Sequence, residues 1–488
     1  MAITPDLIAP FIDGRSTASQ SDEPFEMISP TSGRLLGSYG VGSSADVDRA
    51  VAAARSAFDD GRWHLAAPSF RQRVLTRLAD LIETHAPDID RLDAIEMGKP
   101  VSLRFCNAVA GAQFTRFCAE ALDKMRGDVL TSDAPTLITQ RRVPFGVVGA
   151  IASWNFPTFV ALLKAIPALA AGNTVVLKPS EYSPSSALWL AKLAHEAGLP
   201  DGVLNIVPGT GAIVGSAIAL HHDVDMLSFT GSTQVGKLML HHAGDSNMKN
   251  LLLECGGKSP QIVFDDGLDL DQVADAICAS LLTNQGQVCS IGTRVIAASS
   301  IAEPLTERIA TRFATVAMGD PTEPTTTFGP IASRRQLAGI EAHIARACEE
   351  GAELVTGGRR ALPETGGNFI EPTLFKRVAP NAALARDEIF GPVLPILTFN
   401  DEKQAIAIAN GTEFGLSGTL WTTRLAAGMR VAKALNSSVS VKTGVFASEG
   451  ARYMSSSEPA GQSGIGVEGG MAGIESYMRR QTISFFHG

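Results

Sequence analysis

The sequence predicts an α/β protein built on two parallel sheets. Short apolar runs alternate with helical segments of about a dozen residues. Strand-to-helix turns are rich in glycine, and the alternation restarts after Gly256-Gly257. With 488 residues of which 45% are hydrophobic, the chain has length for several domains and material for buried cores.

The opening region is helix-rich. Ser43 followed by Asp46 has the spacing of a capping box, and Val47, Ala50, Val51, Ala54, Ala57 and Phe58 recur at helical intervals, predicting a helix from Ser44 to Phe58. Val74, Leu75, Leu78, Leu81 and Ile82 give a second helical stripe, and Leu103 to Leu122 a third. From Val147 the runs VVGAIA, TVVLKP, GVLNIV and DMLSFT read as strands of a first parallel sheet. QIVF, TRVIAA, AELVTG, VLPILTF and LSGTLWT read as strands of a second. Arg126 to Pro144 and Arg480 to Phe486 suit exposed strands, and the Ser- and Gly-rich stretch Ser448 to Gly464 reads as a loop.

Charge and composition exclude several functions. Fifty acidic against 41 basic residues leave a net charge of −9 and no basic block to neutralise a phosphate backbone, so nucleic acid is not the expected partner. MAITPDLIAP lacks a basic flank and an apolar core, and no run of 18 apolar residues follows, which predicts a cytoplasmic protein off the membrane. Six scattered cysteines without a CxxC pair predict reduced thiols and no metal site.

Three segments carry candidate chemistry. NQGQVCS presents Cys289 after a predicted helix, Asp271 to Thr283, and a glycine turn. Alone, a cysteine is more often a small buried hydrophobe than a nucleophile. Glu254 opens ECGGKSP directly after the run LLL, where a carboxylate can serve as general base; a solvated or capping glutamate is the bland alternative. Asn155, in WNFP after VVGAIAS, offers a side-chain amide at a strand end, as an oxyanion donor or as a turn cap. For a cofactor, FTGSTQVG and PGTGAIVG each run from strand through glycine to helix, aiming backbone N–H groups at an anion, though neither has the GxGxxG spacing. Lys178 and Glu181, three residues apart in KPSE, can reach ribose hydroxyls together.

Taken together, WNFP from Trp154, KPSE from Lys178, FTGST from Phe229, ECGGKSP from Glu254, GQVCS from Gly286 and EIFGP from Glu388 resemble the NAD(P)-dependent aldehyde dehydrogenase superfamily. The likeness runs from FIDG at Phe11 to SGIGVEGG at Ser463. It implies a Rossmann-like cofactor domain (residues 1–125 and 145–256), an α/β catalytic domain (257–470) and a β-strand oligomerisation arm (126–144 and 471–488) that builds a homodimer or homotetramer. It implies an aldehyde substrate and NAD as cofactor. NADP is less favoured, because the Glu181 carboxylate repels a 2′-phosphate.

By the same resemblance Cys289 is the nucleophile, Glu254 the general base, and Asn155 with the Cys289 N–H the oxyanion hole, with Lys164 and Glu468 in a proton relay. Lys178 and Glu181 bind the adenosine ribose, Ser232 and Trp154 lie near the pyrophosphate, and Glu388 and Phe390 hold the nicotinamide ribose and ring. Ile151, Ala152, Ser153, Ser180, Gly211, Gly215, Phe229, Thr230, Gly231 and Gly256 complete the implied cofactor contacts.

Departures from the family pattern fall near the substrate. Cys255 replaces a common leucine, Val288 leaves no thiol adjoining Cys289, Lys442 replaces an asparagine, SSEPAGQ replaces a PFGG turn, and Leu163 replaces an aromatic tunnel residue. Two rival functions remain: a CoA-acylating semialdehyde dehydrogenase, against which Glu254 argues, and a non-catalytic, crystallin-like nucleotide-binding protein, against which the intact Cys289, Glu254 and Asn155 argue.

Overall fold

Five of the apolar runs line up as a parallel sheet in the order 204–206, 174–178, 147–151, 226–230, 250–254. Such strands are covered on both faces and so read as continuous apolar sequence rather than as alternation. The computed structural model describes residues 8–20, 24–444 and 455–487. Antiparallel strands extend this sheet at both edges, Phe11–Ile12 beside 204–206 and Gly464–Ile465 beside Leu253–Glu254. The register brings Ile151 level with Lys178 and Phe229, and Thr230 level with Glu254. The predicted site residues therefore share the C-terminal edge of the sheet. Chain order reverses between 147–151 and 226–230, and the crevice outside such a switch point is where open α/β sheets bind ligands.

The capping box forms as predicted: the Ser43 hydroxyl accepts from the Asp46 N–H, the Asp46 carboxylate accepts from the Ser43 N–H at 2.8 Å, and the helix runs Ser44–Asp59. The second stripe lies on helix Pro68–Thr84. The third helix is shorter than predicted, Ala108–Glu120, because the Asn107 side chain accepts from the Ala110 N–H and caps it there. Between them stands helix Ala86–Met97, which the apolar pattern did not reveal.

Six parallel strands follow in the second sheet, in the order 373–376, 393–399, 292–298, 259–263, 417–421, 438–442, with Glu353–Thr356 antiparallel at its edge. It has its own buried cluster, separate from those around the first sheet. Strands Asp128–Leu130, Thr136–Pro144 and Met478–Phe486 form a third, antiparallel sheet whose Val129 and Phe486 are exposed. Of the predicted loop 448–464, residues 448–454 lie outside the described residues; the rest holds the short strands Ala460–Gly461 and Gly464–Ile465. Among the described residues no helix is long and apolar enough to cross a membrane.

Candidate active site

Helix Leu270–Leu282 ends in a turn of unusual backbone. Asn284 (φ 47°), Gln285 (φ 56°) and Gly286 (φ 75°) are all left-handed, and each non-glycine residue there costs on the order of 1 kcal/mol or more. Neighbours hold the turn. The Asn284 amide donates to the Asn155 carbonyl at 2.7 Å, the Gln287 amide donates to the Asn284 carbonyl at 3.1 Å, and the Gln287 side-chain oxygen accepts from the Ala332 N–H at 3.0 Å. At Gly286 a Cβ would stand 2.4 Å from the Gly391 backbone, so only glycine fits. The chain leaves this turn with Cys289 partly open to solvent.

Other candidate segments pack against the cysteine turn. A Cβ on Gly257 would lie 2.3 Å from the Cys289 carbonyl oxygen, so the ECGG segment packs directly against the cysteine turn. Asn155 is buried. Its side-chain oxygen accepts from the Ser153 hydroxyl at 2.7 Å and its NH₂ donates to the Gln287 carbonyl at 3.0 Å. A primary amide carries two N–H donors, so one bond fixes the group and the second N–H remains for a ligand.

Charge in the site is dominated by carboxylates. Burial lifts Glu254 to about 8; Glu468 adds to the rise and Lys164 opposes it. The Lys164 ammonium, sealed inside helix Pro157–Ala171, bonds Glu468 at 2.6 Å. Glu388, lifted to about 7 chiefly by burial, accepts from the Gly257 N–H at 2.9 Å. Burial, then Glu388 and Glu254, push the Cys289 thiol well above its ordinary range. Burial and these carboxylates thus disfavour the thiolate, and an incoming positive charge would oppose them.

Side chains with the chemistry to bind a dinucleotide lie along the same edge of the first sheet. The Trp154 and Phe390 rings meet edge to face at 5.3 Å, and Phe390 adopts a left-handed φ of 55°. Gly256 is required by Glu388, whose carboxylate would lie 2.4 Å from a Cβ there, and Gly231 by Phe229, whose ring would lie 2.5 Å away. Ser232 caps helix Thr233–Asp245, and the neighbouring Thr230 hydroxyl is buried without a protein partner. A helix N-terminus beside an orphaned hydroxyl at the switch point suits a pyrophosphate. At the far end the buried Lys178 ammonium bonds the carbonyls of Pro179 and Gly209 and the Glu181 carboxylate at 3.2 Å, with Gly215 alongside and Gly211 open to solvent.

Not every predicted contact offers its side chain to the cleft. Ala152 gives its N–H to the Lys178 carbonyl, Ser180 accepts from Tyr182, and the Ile151 and Phe229 side chains sit in the buried cluster behind the sheet. Sequence reasoning missed Asn284 and Gln287, which hold the cysteine turn. The tripeptide NQG signals a left-handed turn, but nothing local marks Gln287 as a scaffold. Among the described residues no group of three or more metal-ligating side chains assembles.

A family profile described as the aldehyde dehydrogenase family matches residues 16–483. The NADP/NAD-dependent aldehyde dehydrogenase PuuC of Escherichia coli (strain K12) is 43% identical over 426 residues, 87% of this chain and 85% of that protein. The aminoacetaldehyde dehydrogenase of Pseudomonas aeruginosa is 37% identical over 430 residues, 88% of this chain and 86% of its own. Among solved structures, an indole-3-acetaldehyde dehydrogenase in complex with NAD+ superposes with a TM-score of 0.95 at 41% identity, covering 98% of this chain and 96% of that one.

Proposed function

This chain belongs to the aldehyde dehydrogenase family, and from that premise we propose that its NAD-dependent oxidation of an aldehyde to the carboxylic acid runs through a thioester on Cys289. The supporting observation is the Asn155 amide, pinned by Gln287 two residues before the cysteine with one N–H to spare. In the proposed sequence the sulfur bonds to the carbonyl carbon, and the oxygen that gains the electron pair accepts from the Asn155 amide and the Cys289 N–H. The carbon then loses a hydride as its C=O re-forms and the thioester results; NAD, which Lys178, Glu181, Ser232, Glu388 and Phe390 would hold, would accept that hydride and set a positive charge beside the thiol. Glu254 then takes a proton from water, the water oxygen bonds the thioester carbon, the C–S bond breaks and the acid leaves. Lys164 and Glu468 set the charge around Glu254.

We assign residues 1–125 and 145–256 to cofactor binding, 257–470 to catalysis, and the three-stranded arm to assembly with a second copy. The Glu181 carboxylate beside Lys178 favours NAD over NADP.

The substrate is an uncharged aldehyde with a bulky organic group. Helix Pro157–Ala171 is buried throughout, and Phe156, Val160 and Leu163, at i, i+4 and i+7, form one apolar stripe with 4, 7 and 9% exposure, which we take as the wall of the substrate path. All three are apolar, and Leu163 leaves space where the family often carries an aromatic ring.

NADH absorbance with a panel of aldehydes, with and without CoA, tests the whole reading. Aryl and long-chain aldehydes are expected to turn over with higher kcat/KM than acetaldehyde, without CoA, and Cys289→Ser is expected to lose turnover. A preference for acetaldehyde defeats the bulky-substrate assignment, dependence on CoA defeats Glu254 as the base for water, and turnover by Cys289→Ser defeats the nucleophile.

A further inference from the structure

We propose that Ser153 is a positioning residue for the oxidation: its hydroxyl fixes the Asn155 amide so that the spare N–H meets the substrate oxygen as charge develops there. The inference rests on the reading of Asn155 as the oxyanion donor and adds a residue that acts through it. Asn155 lies between strand Val147–Ile151 and helix Pro157–Ala171, outside both, so neither strand pairing nor helix geometry sets its side chain. The last torsion of an asparagine is broad and roughly two-fold, and an amide held at one end still turns. Here it is held at both ends. Its NH₂ donates to the Gln287 carbonyl at 3.0 Å, and its side-chain oxygen accepts from the Ser153 hydroxyl at 2.7 Å. A carbonyl only accepts, so the Gln287 bond decides which end of the amide is nitrogen, and the hydroxyl removes the rotation that remains. The base of the side chain is anchored too, because the Asn155 backbone carbonyl accepts from the Asn284 amide at 2.7 Å. Ser153 is placed by the sheet: Ile151 stands level with Lys178, and the Ala152 N–H donates to the Lys178 carbonyl at 3.0 Å.

A hydroxyl has one proton to give. Spent on Asn155, it is not available to a phosphate or ribose oxygen, so Ser153 serves the oxyanion side of the site and not the cofactor contact that the resemblance implies for it. An amide whose oxygen accepts a hydrogen bond is also a better N–H donor, since bonds in a chain polarise one another. Ser153 hydroxyl, Asn155 amide and substrate oxygen form such a chain. Deleting its first link leaves the oxygen of a buried side chain without its partner and frees the torsion, so the donor is in line with the oxyanion for less of the time. The loss of one such bond should slow addition to the carbonyl about five- to tenfold, well short of the roughly 10²–10³ expected when the donor itself is removed.

The test compares full-length wild type, Ser153→Ala, Ser153→Thr, Asn155→Ala and the double variant Ser153→Ala with Asn155→Ala. Three quantities are read: the rate of the pre-steady-state NADH burst, the KM for NAD, and the rate at which iodoacetamide alkylates Cys289, followed by mass mapping of its peptide. Alkylation is a displacement at saturated carbon and forms no oxyanion, so it reports the cysteine turn without the amide. Ser153→Ala is expected to lower the burst rate about five- to tenfold, with KM for NAD and alkylation within about twofold of wild type. Ser153→Thr keeps the hydroxyl and should retain roughly half the burst rate or more, and the double variant should be no slower than Asn155→Ala alone. A Ser153→Ala burst equal to that of the wild type, a KM for NAD raised as far as the burst falls, alkylation slowed in step, an equal loss in Ser153→Thr, or a further fall in the double variant overturns the proposal. Ser153→Gly deletes the same hydroxyl and takes the place of Ser153→Ala should that variant fail to fold. An unaltered burst in Asn155→Ala sinks the oxyanion reading itself, whereas a slow Asn155→Ala beside an unaltered Ser153→Ala sinks only the assignment of Ser153.

Discussion

Replacing Glu468 with glutamine should move the acid limb of the pH–rate profile downward. In the wild type Glu254 sits at about 8, against an ordinary 4.5, because it is buried and because Glu468 repels its charged form. At pH 7 a group with a pKa of about 8 is ionised in roughly one molecule in eleven. A nearby like charge accounts for about one unit or more of such a rise, so neutralising residue 468 brings Glu254 to about 7 and its ionised share at pH 7 to roughly one half. The glutamine oxygen can still accept from Lys164, whose charge is then unopposed and pulls Glu254 in the same direction. A step that needs the Glu254 carboxylate therefore speeds up by about fivefold at pH 7 and hardly changes above pH 9.

The assay is steady-state NADH formation from pH 6 to 9.5 with an aldehyde that gives a pre-steady-state NADH burst, since the burst shows that thioester hydrolysis limits turnover. Glu254→Gln serves as the control and should abolish the limb. An unmoved limb in Glu468→Gln, or one displaced to higher pH, would refute the claim that Glu254 is the base and that Glu468 sets its protonation.

Three further outcomes follow from the same geometry. Asn155→Ala removes both the oxyanion donor and the tie to Gln287, so kcat should fall by about 10²–10³, read from initial rates at saturating aldehyde. Gly231→Ala would press a methyl into the Phe229 ring at 2.5 Å, and the distortion should raise the KM for NAD, with thermal melting showing whether the fold survives. Glu254→Gln should be more heat-stable than the wild type at pH 8.5 and indistinguishable at pH 4. A carboxyl raised in the folded state contributes its full stability below about 4.5 and loses it progressively as pH rises to about 8, by an amount on the order of 3–5 kcal/mol at most. Equal melting of the two proteins at pH 8.5 would mean that Glu254 is better solvated than its position indicates.

The parts of the fold that were legible share one property: their burial pattern matches an apolar pattern. The strands 147–151, 174–178, 226–230 and 259–263 are covered on both faces and read as uninterrupted hydrophobic runs. Helix Ala86–Met97 breaks this correspondence. Asp90, Asp93 and Glu96, three residues apart, turn inward with 8, 0 and 2% exposure beside the buried Ile89, Leu92 and Met97, so acidic residues interrupt the apolar stripe that would announce the helix. Burial lifts Asp93 to about 6 and Glu96 to about 8, which lets Glu96 stay inside in neutral form near neutral pH. The strands at 460–461 and 464–465 were hidden for another reason. Each is two residues long and exists because an edge is waiting for it, Phe414–Gly415 for one and Leu253–Glu254 for the other.

The cysteine turn shows where local reading must stop. Its segment NQGQVCS declares a reactive thiol and a tight turn, but the left-handed Asn284 and Gln285 are unfavourable by themselves and the nearby Gln287 amide offsets only part of their cost. The rest of the compensation arrives from three distant places in the chain: the Asn155 carbonyl, the Ala332 N–H and the close approach of Gly391. Asn155 belongs to the first sheet's strand end, and Ala332 and Gly391 to the chain around the second sheet. The turn is therefore held from both sheets, and the Asn155 amide is tied to the same turn through the Gln287 carbonyl. Catalytic geometry and interdomain packing are in this way one requirement: Asn284 lies in the sequence that signals the turn, but nothing local marks Gln287, whose Ala332 partner comes from elsewhere in the chain.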